Sequence, residues 1–395
     1  MTSINRVKAA ALIVAVLALA AFFIYQKPLH HSPGGHQTKA YPRGKLIQTS
    51  SSASAVRPAL ALPAAETPEV TAAGPFHKAL AALKSTTSAD ESRKILANFR
   101  SFLDSLPPDL AAAVITRFLA DPANNATTHI DFSLNSTGFL NGHPSFRVAL
   151  LDWLGQIDPR QAGVVAAQIL VTPTDADEWA VSLRNYARAH PTPDSQAFLR
   201  TKTEELIRNP EWRVNPSIGF FESFDLLVHI RAIESTGLLS DLVSNPNPEG
   251  KSLAHAAFLT LDRLALREPV AMMEQFAARP ELTKSRGEMV ANLFARADLR
   301  DPAQQHLVRS YLLDPARSAA ELDAFAGVYP NANFFISKNL LTENLTLVRD
   351  EITARDAAAL AIVNGWLAEP AFVTVKYHLT AIQQRLTTFV GQTAK

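Results

Sequence analysis

Not one of the 395 residues is cysteine. That absence excludes a disulfide framework, a thiolate nucleophile, cysteine-ligated zinc, an iron–sulfur cluster and a cysteine-linked lipid anchor. Strand signals are nearly missing as well. No sustained two-residue alternation is flanked by Asn-Gly or Asp-Gly turns, and only His129 to Leu134 (HIDFSL), in the loop-like stretch Asn124 to Pro144, reads as a brief pairing segment. There is no Gly-x-Ser-x-Gly elbow and no His-Glu-x-x-His. An excess of one charge is lacking too, with 38 basic against 37 acidic side chains. Up to Gly74 seven basic residues face only Glu66 and Glu69, so the rest of the chain, with 31 basic and 35 acidic, is mildly acidic. An acidic body is a poor partner for phosphate backbones, and nucleic-acid binding is not expected.

What is present falls into three parts. Hydrophobic residues make up 47% of the chain, enough for a sizeable core and too many for wholesale disorder. Such a length predicts two or three domains, or one long repeat array with appendages. Residues 1–26 read as a membrane anchor or signal segment. Ala9 to Tyr25 is unbroken AAALIVAVLALAAFFIY between Lys8 and Gln26-Lys27. About 25 Å of helix at 1.5 Å per residue is at the short end for crossing a bilayer, and the run has no polar face. An uncleaved anchor is the leading reading. The others are a signal peptide cut after Ala18-Leu19-Ala20, and a buried soluble helix. Arg6 and Lys8 favour a cytoplasmic N-terminus, while Lys27, Lys39, Arg43 and Lys45 pull the other way. The expectation is a single-pass membrane protein whose C-terminal domain lies outside the cytoplasm, in the periplasm if the chain is bacterial.

Residues 27–74 lose all periodicity. Six of them, from Pro28 to Pro68, are proline, and Thr49 to Ser54 is TSSSAS, so the stretch reads as a disordered tether. His30, His31 and His36 within it form HHSPGGH, a conceivable metal ligand set but more simply a solvated linker. Residues 75–395 read as all-α. Ser88-Ala89-Asp90-Glu91 has the form of a capping box, and Ile95, Leu96, Phe99, Phe102 and Leu103 follow at helical spacing. Similar stripes run over Phe146–Ile157, Trp179–Tyr186, Phe221–Ile233, Leu253–Leu266, Met289–Phe294, Ala358–Leu367 and Val373–Val390.

An acidic residue followed by proline recurs between stripes, at Asp121, Asp158, Glu268, Asp301, Asp314 and Glu369. The carboxylate is suited to cap the incoming helix, and proline to occupy its first position. With Pro315 left out, the spacings approximate multiples of about 34–37 residues, the period of stacked helix pairs. In Leu150 to Leu170, Leu261 to Pro280 and Ala361 to Leu379 the chain resembles the HEAT-like α-solenoid repeats. The tetratricopeptide signature is not met, and two units between Pro159 and Pro269 lack the turn, so an irregular helical bundle is the alternative. The resemblance implies an irregular stack of antiparallel helix pairs with a concave surface for a protein or peptide partner, and no catalytic role.

Motifs for chemistry are weak. Gly250-Lys251-Ser252 has the ending of a phosphate-binding loop, but Asn245 stands where glycine is required. Glu222-Ser223 is similar to the catalytic start of lytic transglycosylases, whose single carboxylic acid protonates a glycosidic oxygen. The Gly-Leu-Met-Gln stretch that should follow is absent, and Glu222 is expected on a solvated helix face. His129, Asp131 and His143 share one loop and are weighed as a metal site against exposed or capping histidines. The four tryptophans, Trp153, Trp179, Trp212 and Trp366, are expected in the core. Asn125, Asn135 and Asn344 open glycosylation sequons. No residue is assigned a catalytic, cofactor-binding or metal-ligating role, and no cofactor is expected. The expected partners are a lipid bilayer, through Ala9 to Tyr25, and a protein or peptide. The competing expectations are a cell-envelope enzyme acting on glycans through Glu222 and a structural spacer that oligomerises.

Overall fold

A computed structural model describes residues 68–244, 250–333 and 336–393. Among them the body is all-α, with eighteen α-helices and a single two-stranded sheet. The anchor segment Ala9 to Tyr25 and most of the tether lie outside the described residues. Among the described residues no single helix is long and apolar enough to cross a membrane.

The first helix, α1 (Pro68–Ser85), begins inside the stretch read as tether. Pro68 suits a first helical turn, and the helix also carries Pro75, so Gly74-Pro75 does not mark its start. Phe76 of α1 meets Phe99 of α2 (Ala89–Asp104) edge-on at 4.7 Å and Phe118 of α3 (Pro108–Leu119) at 5.2 Å. Ser88 caps α2 as expected, accepting from the Glu91 N–H. The capping box is not closed in the expected way. The Glu91 carboxylate accepts from the Thr86 hydroxyl, and that hydroxyl receives the Ser88 N–H.

Next come α4 (Phe146–Ile157), α5 (Pro159–Ile169), α6 (Ala176–Ala189) and α7 (Pro193–Arg208). Helix α4 is buried almost all round, from Phe146 to Gly155. It packs on α5 and α6, and α6 in turn packs on α7. Before it, β1 (Ser133–Leu134) pairs antiparallel with β2 (Leu140–Gly142), within the only region with a pairing signal. Short α8 (Pro210–Val214), α9 (Ile218–Glu222) and α10 (Asp225–His229) follow. The sequence stripe Phe221–Ile233 is thus broken rather than one helix. Buried Ser223 turns its hydroxyl back onto the Phe220 carbonyl, and the Phe224 N–H bonds Phe221, one residue short of α-helical spacing.

The C-terminal half holds α11 (Thr236–Ser244), α12 (Lys251–Arg267), α13 (Pro269–Ala277), α14 (Pro280–Phe294), α15 (Pro302–Leu313) and α16 (Ala319–Val328). A strap whose described residues have no regular structure then leads to α17 (Arg349–Ala368), a 3-10 turn (Pro370–Val375) and α18 (Lys376–Thr393). Helices pack on those one to three positions away in the chain: α11 on α12, α12 on α13, α13 on α15, α14 on α16, α16 on α18 and α17 on α18. One apolar cluster runs from Phe76 to Leu386.

The acidic-proline turns divide by chemistry. Asp158 accepts from the Arg160 and Gln161 N–H groups and caps α5, and Asp301 caps α15 through the Ala303 N–H. Glu268 and Glu369 precede helical turns without capping them, and their carboxylates go to Arg231 and Arg309 at 2.7 and 2.8 Å. Asp121 and Asp314 accept from Ala123 and Ala316 in tight turns that start no helix.

Candidate functional site

The strap between α16 and α17 runs back to residues 76 to 152 positions earlier. Four of its residues, Leu340 to Glu343, seat in a polar groove built by α6, α10, α12 and the β1–β2 turn. Asp225, the first residue of α10, carries the seat. Its Oδ2 accepts from the Leu341 N–H at 2.7 Å and the Thr342 N–H at 2.9 Å, while Oδ1 accepts from Arg263 of α12 at 2.5 Å. Arg267, one turn on from Arg263, donates to the Glu343 carbonyl at 2.6 Å. Arg188 of α6 donates to the Thr137 carbonyl at 2.6 Å and the Leu340 carbonyl at 3.4 Å. The Leu340 side chain is wholly buried.

The floor of the groove is shaped by the hairpin turn. Asn135 Oδ1 accepts from Thr137 N–H, the Thr137 hydroxyl and Phe139 N–H, which folds the turn so that Gly138 takes a φ of +77°. A Cβ on Gly138 would lie 2.1 Å from the Leu340 carbonyl oxygen, so only glycine lets the strap come this close. The Gly138 carbonyl is held by Arg184, which is fully buried and paired with Asp152 at 2.7 Å. The guanidinium groups of Arg184 and Arg188 lie over the Phe139 ring at 4.7 and 4.1 Å.

Titration follows from this crowding. Glu222, one turn before Asp225, is pushed up to about 7 by burial and the Asp225 charge, with Arg263 acting against them. Burial lowers His229, with Arg188 and Arg267 adding to it and Asp225 opposing. Burial also brings Arg188 down to about 10, helped by Arg184. Glu222 is therefore half-buried and near the groove, not on a solvated face. Leu226, Leu227 and Ile230 are core residues, as the stripe implies.

The other sequence candidates do not come together. His143 is buried and bonds Asp152 at 3.3 Å, whereas His129 and Asp131 are exposed. Among the described residues no three His, Asp or Glu side chains form a metal-binding group. Gly250 precedes α12, and Lys251 and Ser252 lie exposed on its first turn. Trp153, Trp179 and Trp366 are buried, and half-buried Trp212 packs edge-on to Trp179 at 5.2 Å. The three sequon asparagines all use their amides internally. Asn125 receives the Arg147 N–H, Asn135 folds the hairpin turn, and Asn344 donates to the Ser337 carbonyl at 2.8 Å.

No family model, curated protein or solved structure matches the chain.

A second concavity, an open cleft of about 530 Å³, lies beside the groove between the start of α7, the turn Ile230–Glu234 and Glu268. Arg231 there has a φ of +54° and pairs with Glu268, and Arg200 faces Glu234 at 3.5 Å. Its two arginines and two glutamates neutralise each other. The groove residues Arg188, Asp225, Arg263 and Arg267 are not visible as motifs. Their one signal is a charge set inside an apolar stripe, as in Phe224-Asp225-Leu226 and Leu261-Asp262-Arg263-Leu264.

Proposed function

We propose that this chain is a single-span, membrane-tethered helical scaffold that binds a protein or peptide partner through its extracytoplasmic body. One observation carries the reading: the body holds an irregular peptide segment by its main chain, with a buried carboxylate receiving two amides and two guanidinium groups holding carbonyls. A helix array that reads peptide backbone in this way is equipped to read a partner's. Packing between helices close in the chain supports the irregular, HEAT-like stack of helix pairs, a framework that supplies binding surface. The membrane tether rests on the composition of Ala9 to Tyr25.

The test is alkaline extraction of membranes followed by affinity capture with the full chain solubilised in detergent. The expected outcome is retention in the membrane pellet and a stoichiometric protein or peptide partner. A chain found wholly in the aqueous supernatant overturns the tether, and recovery of the chain with no partner overturns the binding role.

A second reading is favoured by Glu222, because a carboxyl pushed up to about 7 has the protonation a general acid needs on a glycan. Against it, the neighbouring carboxylate Asp225 is committed to Arg263 and the strap. Loss of a measured glycan cleavage on Glu222→Gln, with helicity retained, would favour the enzyme.

A further inference from the structure

We propose that the groove of α6, α10 and α12 is a peptide-binding groove filled in cis by Leu340–Glu343, so that the strap is an autoinhibitory occupant. Its ligand in trans is a bent peptide segment of the type Asn-Leu-Leu-Thr, whose first leucine fills the socket. The inference rests on the partner-binding reading above and gives that reading a site.

The groove recognises main chain first. Two successive N–H groups, from Leu341 and Thr342, converge on a single oxygen of Asp225, the arrangement by which a peptide bend captures an anion. Arg188 and Arg267 take the carbonyls on either side of those amides. Any peptide that adopts this bend offers the same four groups. Selectivity comes from two features: the socket that encloses Leu340, and Gly138, whose missing side chain admits the carbonyl of the leucine.

Beyond Asn331, whose N–H donates to the Ala295 carbonyl, and Asn333, whose carbonyl receives Arg296, the strap is held at Leu340–Glu343. On either side of that stretch Ile336, Leu345 and Val348 are 78%, 41% and 70% exposed. So exposed, Ile336 and Val348 add little burial to hold the strap in place. Being joined to helices at both ends, the strap faces the groove at a high effective concentration, so a free ligand competes poorly until the strap is weakened. If the strap leaves, Asp225 keeps Arg263 and exchanges its two amide donors for water, so a peptide with the same bend can take their place.

The probe is a fluorescent nonapeptide of the strap's own sequence, Ser337–Leu345 (SKNLLTENL), added to the full chain in detergent. Leu340→Ala with Thr342→Pro removes the socketed side chain and one donated amide without touching the groove. The peptide should bind this double variant at least tenfold more tightly than the wild-type chain. Adding Asp225→Asn, or using a peptide with alanine in place of the first leucine, should weaken binding at least tenfold. Should the double variant lose helicity, the wild-type chain still decides, because excess peptide must speed hydrogen exchange at the Leu341 and Thr342 amides. Equal affinity for both chains, no effect of Asp225→Asn, or unchanged exchange overturns the proposal. Peptide binding with no partner captured leaves the groove standing and removes the partner reading. A captured partner with no peptide binding does the reverse.

Discussion

At Gly138 a side chain is missing where the backbone needs the space. The residue combines a positive φ with a carbonyl oxygen at the position its Cβ would take. Gly138→Ala therefore carries two costs, the left-handed backbone at about 1–2 kcal/mol and displacement of the strap. The expected loss is about 2 kcal/mol or more in urea unfolding, together with faster amide exchange at Leu341 and Thr342. Wild-type exchange at those two amides would show that the strap tolerates the methyl group. Asp177 is a different kind of residue-scale liability. Burial and the neighbouring Asp175 charge raise it to about 6, although the Ser217 hydroxyl and the Gly219 N–H both donate to it. Its folded pKa lies above its unfolded value near 3.8, so the folded state holds the proton more tightly. Stability from this group is complete below about pH 4 and is lost as pH rises to about 6. Asp177→Asn keeps an acceptor for both donors and does not ionise. It should be more stable than wild type by about 1–3 kcal/mol at pH 7, with the gap closing toward pH 4. A pH-independent difference between the two in thermal melts would contradict this origin.

At the scale of elements, the caps test how far a sequence motif reports its own chemistry. Asp158 spans to two N–H groups of its own helix, whereas Glu268, one methylene longer, reaches out to Arg231. Asp158→Ala should cost about 1 kcal/mol, the usual worth of an N-cap. Glu268→Ala should cost less than about 0.5 kcal/mol, because its partner is largely exposed. Equal costs in denaturant titrations would mean that both turns act through something other than capping. A second recurrent device ties helices together: Arg147 with Glu178, Asp152 with Arg184, Asp225 with Arg263, and Asp262 with Arg296, each spanning two segments of the body. Asp152→Ala leaves Arg184 buried without its countercharge and should destabilise by about 3–5 kcal/mol. The helices were legible because apolar residues such as Phe146, Leu150 and Trp153 recur at their period. The break within the stripe Phe221–Ile233 is not legible, because periodicity does not register a buried serine bonding back to its own turn. The groove was illegible for another reason. Arg188, Asp225, Arg267 and Leu340 are brought together by a strap, and no local pattern encodes contacts over 76 to 152 residues.

For the whole molecule that long-range contact has a thermodynamic consequence. A helical body in which most helices touch near neighbours in the chain gains cooperativity chiefly from those local interfaces, and its two ends can unfold separately. The strap ties the far end, α16 and α17, directly to α6, α10 and α12 through Arg188, Asp225 and Arg267. Strength at this tie should therefore set whether the body melts as one. Tryptophans are placed to report it, with Trp153 and Trp179 in the N-terminal half and Trp366 in α17. Phenylalanine in place of the others leaves one reporter per half, and the two should give coincident urea midpoints in the wild-type background. With Leu340→Ala and Thr342→Pro, the midpoints should separate and the apparent m-value fall, since a smaller surface is exposed in each step. Coincident midpoints with an unchanged m-value in that variant would show that nearest-neighbour packing alone couples the ends.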